Sequence, residues 1–222
     1  MAPTYLCRFP GSKSDGFCGS ALLSLGPFGV SLIDEHKSII RRDAVSRRDA
    51  LPADQRAEAA ETIAARPFPL AIRPGMIVSG FSPLKTEINP LPLMRRLAEA
   101  GAQLALPVVA GRGHPLIMRA FAFGDALASG QWGIREPKPE AAEVAPDILL
   151  VPLLAFDRRG NRIGYGAGYY DMTIAKFRAT KPVVAAGIAY AAQEIDTVPV
   201  TARDARLDLV LTEREVIDLR GS

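Results

Sequence analysis

The run Asp147-Ile148-Leu149-Leu150-Val151-Pro152 is wholly apolar between its turn residues, and it constrains the fold more than any other stretch. A strand of alternating character can leave one face in water, whereas an unbroken apolar strand must be covered on both. Short apolar runs recur at 76–81, 103–109, 116–121, 183–188 and 207–211. Between them lie helical patterns at 91–100, with Gly101 as C-cap, and at 169–179. Two helices are expected ahead of these, one capped by Asp34 and running through Arg48, the other opened by Asp54 and ending before Pro67. A last helix is expected over 213–219. Strands alternating with helices predict an α/β fold: three α/β/α layers, with a mainly parallel sheet between helices on both faces. Ligands of such sheets collect in the loops beyond the carboxyl ends of the strands.

No internal repeat and no linker interrupts the chain after residue 50, so 35–222 reads as a single catalytic domain. Residues 1–34 are rich in Gly, Ser and Pro and lack sustained periodicity. They read as a disordered or loosely docked extension, with a transit peptide or a start site placed too early as the alternatives.

Composition removes several chemistries. Two cysteines, Cys7 and Cys18, both stand near the start, which excludes a disulfide framework and a thiolate metal site in the main body. Two histidines, His36 and His114, exclude a poly-histidine metal centre and argue against a Ser-His-Asp triad. A net charge of +3 on 222 residues favours no nucleic-acid partner. The basic cluster Arg41, Arg42, Arg47 and Arg48 lacks the neighbouring aromatics that stack on bases. No apolar run reaches the ~18–20 residues of a membrane span, so the expected location is the cytoplasm. The chemistry must therefore run on lysine, arginine, carboxylates and backbone amides.

The segment Arg162-Ile163-Gly164-Tyr165-Gly166-Ala167-Gly168-Tyr169-Tyr170-Asp171 suits that inventory. Three glycines at alternate positions leave peptide N–H groups bare for phosphate oxygens, and the succeeding helix adds the positive end of its dipole. Arg162 can clamp a phosphate, and Asp171 is a hard oxygen ligand suited to Mg²⁺. Alone, the glycines fit a tight strand-to-helix turn equally well. The loop has neither the Gly-Lys-Ser/Thr of a Walker A motif nor the spacing of a dinucleotide site.

With these residues in view, the chain resembles the 5-formyltetrahydrofolate cyclo-ligase family, the methenyltetrahydrofolate synthetases, from about residue 36 to 215. Lys37 and Arg41, four apart and so on one helical face, are similar to the family's ATP-contacting pair. The segment Ser79 to Asn89 resembles a strand-end loop in which Ser82 and Glu87 contact the folate; a carboxylate suits the N–H donors of a pterin. The segment Gly130 to Pro137 is similar to the family's tryptophan loop, placing Trp132 against the flat ligand. The segment Val198 to Asp208 resembles the C-terminal stretch whose aspartate, here Asp204, joins Asp171 at a metal. The resemblance implies ATP contacts from Lys37, Arg41 and Arg162, the catalytic cations, and from Ile163, Gly164, Tyr165, Gly166, Ala167, Gly168, Tyr169 and Tyr170. It implies folate contacts from Ser82, Glu87 and Trp132, and from Tyr165, Gly166, Ala167, Gly168 and Tyr169.

Three positions depart from the family's pattern. Ala167 stands where many members carry glycine or lysine, Tyr165 where some carry arginine, and Arg203 where bacterial members often carry histidine. The implied activity is the Mg²⁺- and ATP-dependent closure of 5-formyltetrahydrofolate, by a monomer. Two other readings stay open: an enzyme similar to the sugar-phosphate isomerases and CoA transferases, which share such a fold, and a folate- or nucleotide-binding module without turnover. ADP released only when the folate is present separates the expected activity from both.

Overall fold

The computed structural model describes residues 32–221; of the extension expected over 1–34, residues 1–31 lie outside the described residues. Leu32 to Asp34 instead form the first turn of helix α1 (Leu32–Asp49), so Asp34 lies inside the helix rather than capping it. Helix α2 (Ala53–Ala65) likewise follows Pro52, with Asp54 in its first turn. Both carboxylates still stand at the positive end of a helix dipole.

Five parallel strands form the centre of the sheet: β1 (Ile77–Ser79), β2 (Gln103–Val108), β6 (Ile148–Pro152), β9 (Val184–Ile188) and β10 (Leu209–Leu211). Antiparallel edge strands β3 (Ile117–Phe121) and β11 (Val216–Asp218) close it, in the order β11-β10-β9-β6-β1-β2-β3. Two small hairpins stand apart, β4 (Leu127–Ser129) with β5 (Arg135–Pro137), and β7 (Ala155–Phe156) with β8 (Arg162–Ile163).

The apolar strand behaves as its composition requires. Ile148, Leu149, Leu150 and Val151 are all 0% exposed. Ile148 and Leu150 share a core with Ala60 and Ile63 of α2 and with Leu93 and Leu97 of α3 (Leu91–Glu99). Leu149 and Val151 face the other way, toward Ile174 and Phe177 of α4 (Tyr169–Arg178). The pleat thus sorts one strand between two helical layers, each such side chain contributing about 1.5–3 kcal/mol by leaving water. No helix among the described residues is long and apolar enough to cross a membrane.

The helix expected over 213–219 is strand β11. Glu213, Arg214 and Glu215 do favour a helix locally. The Thr212 hydroxyl, however, accepts the N–H groups of Arg214 and Glu215 and closes a tight turn. Ile217 then pairs with Val210 and buries its side chain. The unpaired edge of β10 outweighs local propensity.

The β7–β8 hairpin fixes where the glycine run begins. Asp157, fully buried, accepts the backbone N–H groups of Arg159, Asn161 and Val198. Gly160 completes the turn at φ +82°, and a Cβ there would stand 2.7 Å from the Leu207 carbonyl oxygen. Gly160→Ala is therefore expected to destabilise the protein by about 2–4 kcal/mol, read from the midpoint of urea unfolding; an unchanged midpoint contradicts the close approach.

Candidate active site

The strand order reverses between β1 and β6. From β1 the chain moves to β2 on one side, whereas from β6 it moves to β9 and β10 on the other. Loops leaving two such neighbours diverge and open a crevice at the carboxyl end of the sheet. The loop after β1 carries Ser82 and Glu87, and the segment after β6 carries the glycine run. Topology thus brings together two segments more than 70 residues apart in the chain.

Helix α1 packs on the β7–β8 hairpin through Ala44, which joins Leu154, Ala155, Ile163 and Val198 in a small core. Ile40 and Val45 pack beside Ala44, and the stripe running through it is otherwise basic: Lys37, Arg41, Ala44 and Arg48 follow one another at spacings of 4, 3 and 4 residues, and Lys37, Ala44 and Arg48 are buried. That spacing places them on one stripe of the helix. Arg41 donates to the Gly164 carbonyl at 3.0 Å and lies against Gly166, where a Cβ would stand 3.4 Å from its guanidinium carbon. Gly166 and Gly168 take φ of +104° and +70°, a left-handed path that glycine follows without strain. Tyr165, Gly166 and Ala167 face solvent, and Gly168 leads directly into α4. Ile163 points inward, so it supports the loop through packing and has only its backbone to offer a ligand.

Arg162 is nearly sealed from water. It donates to the carbonyl of Ala205 and, at 2.7 Å, to Oδ1 of Asp171, which also accepts the N–H of Ala205 at 3.0 Å. Burial pulls the Arg162 pKa down, opposed by the Asp171 charge and, more weakly, by Asp204. Asp204 holds the Lys37 ammonium on Oδ2 at 2.6 Å, and the same oxygen accepts the N–H and hydroxyl of Thr201. Burial alone would raise the Asp204 pKa; Lys37 and Thr201 bring it below the usual carboxylate value. Arg203 projects from this turn into solvent.

These contacts converge on Oδ1 of Asp171 and Oδ2 of Asp204, in carboxylates that adjoin through Ala205. Among the described residues no group of three or more acids, histidines or cysteines could cage a metal. Two carboxylates beside the glycine run fit Mg²⁺, which commonly takes one or two protein carboxylates and completes its shell with other oxygen ligands and water.

Glu87 accepts the Leu84 N–H at 2.7 Å, and the Tyr165 hydroxyl stands near enough to favour its charged form. Ser82 donates to the Arg135 carbonyl at 2.7 Å, tying the β1 loop to the β4–β5 hairpin whose connecting turn contains Trp132. The Tyr170 hydroxyl is, among the described residues, the one buried side-chain polar atom without a hydrogen-bond partner. Tyr170 packs against the core beneath α4, and burial is the main cause that raises its pKa, with the Glu87 charge adding to it and Arg162 opposing. A buried hydroxyl left unpaired is costly unless a ligand completes it.

Arg48 escapes a reading by motif because it looks like one of four surface arginines. The signal that finds it is its phase on α1, four residues beyond Ala44 and on the stripe of Lys37 and Arg41. It is 2% exposed and donates to the hydroxyls of Thr86 and Tyr165 at 2.9 and 2.8 Å. A different hollow, bordered by Arg178, Lys181, Asp208 and Arg220, lies at the opposite end of the sheet; there Arg178 pairs with Asp208 and Lys181 with Asp147.

Burial raises the Glu87 pKa above 4.5, with the Leu84 N–H, Tyr165 and Arg48 opposing it. A carboxyl that binds its proton more tightly when folded subtracts stability at neutral pH, and the deficit fades as pH falls below the unfolded value. Glu87→Gln is thus expected to raise the thermal midpoint of the ligand-free protein near pH 7, the gain vanishing toward pH 4. A lower midpoint at pH 7 contradicts this account.

The model of the 5-formyltetrahydrofolate cyclo-ligase family matches residues 33–213. A 5-formyltetrahydrofolate cyclo-ligase of Mycolicibacterium smegmatis is 34% identical over 193 residues, covering 83% of this chain and 97% of the relative. One from Escherichia coli is 32% identical over 183 residues, covering 77% and 96%. Among solved structures, the 5,10-methenyltetrahydrofolate synthetase of Aquifex aeolicus superposes with a TM-score of 0.69 at 28% identity, over 83% of this chain and 93% of that one. With the family model spanning most of the chain and the crevice built from the segments that carry the resemblance, this protein belongs to the 5-formyltetrahydrofolate cyclo-ligase family.

Proposed function

We propose that this chain converts 5-formyltetrahydrofolate and ATP to 5,10-methenyltetrahydrofolate, ADP and phosphate. One observation carries the reading: bare peptide groups between Arg162 and Asp171 lie under the basic face of α1 and beside Glu87. A triphosphate needs the first two features, and a pterin with several N–H donors needs the third.

The formyl group on N5 is an amide, and its oxygen is a poor leaving group. Attack of that oxygen on the γ-phosphorus expels ADP and leaves a phosphorylated iminium. N10 then attacks the formyl carbon and loses its proton, and phosphate departs as the ring closes. Phosphoryl transfer of this kind asks for placement and charge neutralisation more than for a strong base, which fits a chain so poor in histidine and cysteine. Arg41 and the amides of Gly164 to Gly168 face the phosphates. Lys37 and Arg162 carry the remaining positive charge, and the unpartnered Tyr170 hydroxyl has its proton available for a ligand oxygen. Glu87 orients the pterin. Asp171 and Asp204 would hold Mg²⁺, which when bound neutralises phosphate charge.

In the ligand-free protein Lys37 is paired with Asp204 and Arg162 with Asp171. A metal–nucleotide complex brings charge of both signs, so the cations can turn to phosphate while the carboxylates turn to the metal. Every group named belongs to one chain, so a monomer suffices.

Protein mixed with 5-formyltetrahydrofolate and Mg-ATP is expected to produce the near-ultraviolet absorbance of the methenyl product with equimolar ADP. ADP without folate, or no product, sinks the reading. Asp171→Asn is expected to lower turnover by about 10²-fold or more while unfolding stays cooperative. Arg162→Ala should lower turnover as far and also cost about 3 kcal/mol of stability, because it strips the donor from both Asp171 and the Ala205 carbonyl. Near-wild-type turnover in Asp171→Asn removes Asp171 from the site.

A further inference from the structure

We propose that Arg48 is a positioning residue for folate, fixing the surroundings of Glu87 through its bonds to Thr86 and Tyr165. The inference rests on the proposed function and adds to it a side chain of α1 that touches neither phosphate nor metal ligand.

Arg48 is among the largest fully buried side chains. A guanidinium has five N–H donors, no acceptor and a permanent charge, so taking it out of water requires acceptors and a counter-charge. The acceptors are Thr86 Oγ1 at 2.9 Å and the Tyr165 hydroxyl at 2.8 Å, both neutral. Asp49 stands 4.0 Å away with its side chain half exposed, and it is itself hydrogen-bonded by the Thr86 hydroxyl. The half-buried negative group within reach of the Arg48 charge is Glu87, from the same loop as Thr86.

Donor and acceptor chemistry fixes the direction of the chain. Because Arg48 can only donate, the Tyr165 oxygen accepts from it and keeps its own proton for another partner. An ionised carboxylate can only accept, so that proton is free to turn toward the neighbouring Glu87. The order Arg48 to Tyr165 to Glu87 is therefore the one polarity the three groups allow. A hydroxyl polarised by a cation on one side is a stronger donor on the other.

The geometry gives this chain a use. Tyr165 is 49% exposed, yet its hydroxyl is tied down by Arg48, so an exposed loop residue presents its ring in one orientation. Thr86, bonded by Arg48, directly precedes Glu87, so the same guanidinium fixes the loop at the carboxylate and the phenol on the facing loop. Arg48 thus orients the group that would accept the pterin's N–H donors. Arg41 and Lys37, nearer the start of the same helix face, attend to Gly164 and Asp204 instead. One helical stripe therefore serves both substrates, with its last member given to folate.

The test separates the two substrates. Arg48→Met keeps the length and apolar stem while removing the charge and the donors. It is expected to raise KM for 5-formyltetrahydrofolate about tenfold, the scale of one lost charge-assisted hydrogen bond, with KM for ATP changed less than about twofold. Equilibrium binding of 5-formyltetrahydrofolate without nucleotide should weaken by the same factor. Tyr165→Phe is expected to show the same selectivity, and the double variant to be little worse than either single one. Should Arg48→Met fail to fold, Arg48→Lys keeps a buried charge but loses the fork, and is expected to give the folate-selective defect in smaller measure. Equal changes in both KM values, additive effects of the two substitutions, or an unchanged folate KM each overturn the proposal. A wild-type protein that makes no methenyl product overturns the proposed function instead; a wild type that turns over, with Arg48 variants lacking folate selectivity, overturns only the role of Arg48.

Discussion

Arg162 is held out of water with its nitrogens on a carboxylate of α4 and a carbonyl of the segment before β10. Desolvating a guanidinium is unfavourable by several kcal/mol, and only well-placed acceptors offset it. Here those acceptors come from parts of the chain that share no local structure, so the cation joins β8, the first turn of α4 and the Thr201–Asp204 turn. The buried Asp157 and the close approach of Gly160 to Leu207 exist upstream of it, since they set the hairpin from which Arg162 departs. Without that hairpin the glycine run would have no fixed starting point, and Asp171 would lose its buried cation.

Helix α1 inverts the usual amphipathic arrangement. Its buried stripe is Lys37, Ala44 and Arg48, with Arg41 half buried, and it gains little apolar area beyond the cluster around Ala44. Its docking depends on hydrogen bonds and ion pairs to the Gly164 carbonyl, Asp204, Thr86 and Tyr165. A helix that packs by charge is less stable than one that packs by leucine, and a site that must receive a triphosphate has to keep its cations where leucine would serve stability better. The raised pKa of Glu87 and the unpartnered hydroxyl of Tyr170 belong to the same pattern: polar groups placed for a ligand, at a cost to the ligand-free fold.

Much of the fold and site is legible in the residues alone, for identifiable reasons. The parallel sheet follows from strands apolar on both faces, and the glycine run announces a bare backbone because no other residue type would leave it bare. Lys37 and Arg41 share a face by helical arithmetic. Arg48 obeys the same arithmetic, but a buried arginine and a solvated one are identical as letters. The bonds from Arg48 to Thr86 and Tyr165 join three separate segments and have no local signal at all. The edge strand β11 is hidden for a similar reason, because Glu213 to Glu215 favour a helix until the open edge of β10 competes for Ile217.

The amino-acid sequence by itself determined which segments must be covered on both faces, where the backbone can turn left-handed, and which chemistries the residue inventory permits. These are properties of short stretches, set by side-chain polarity, steric limits at Cβ and the titration of single groups. Only the tertiary structure decided that the strand order reverses between β1 and β6, and therefore that the loop bearing Glu87 faces the loop bearing Gly166. It also decided which cations are buried and which carboxylates they meet. Those outcomes depend on long-range pairing and desolvation, whose energies belong to the assembled chain and to none of its segments alone.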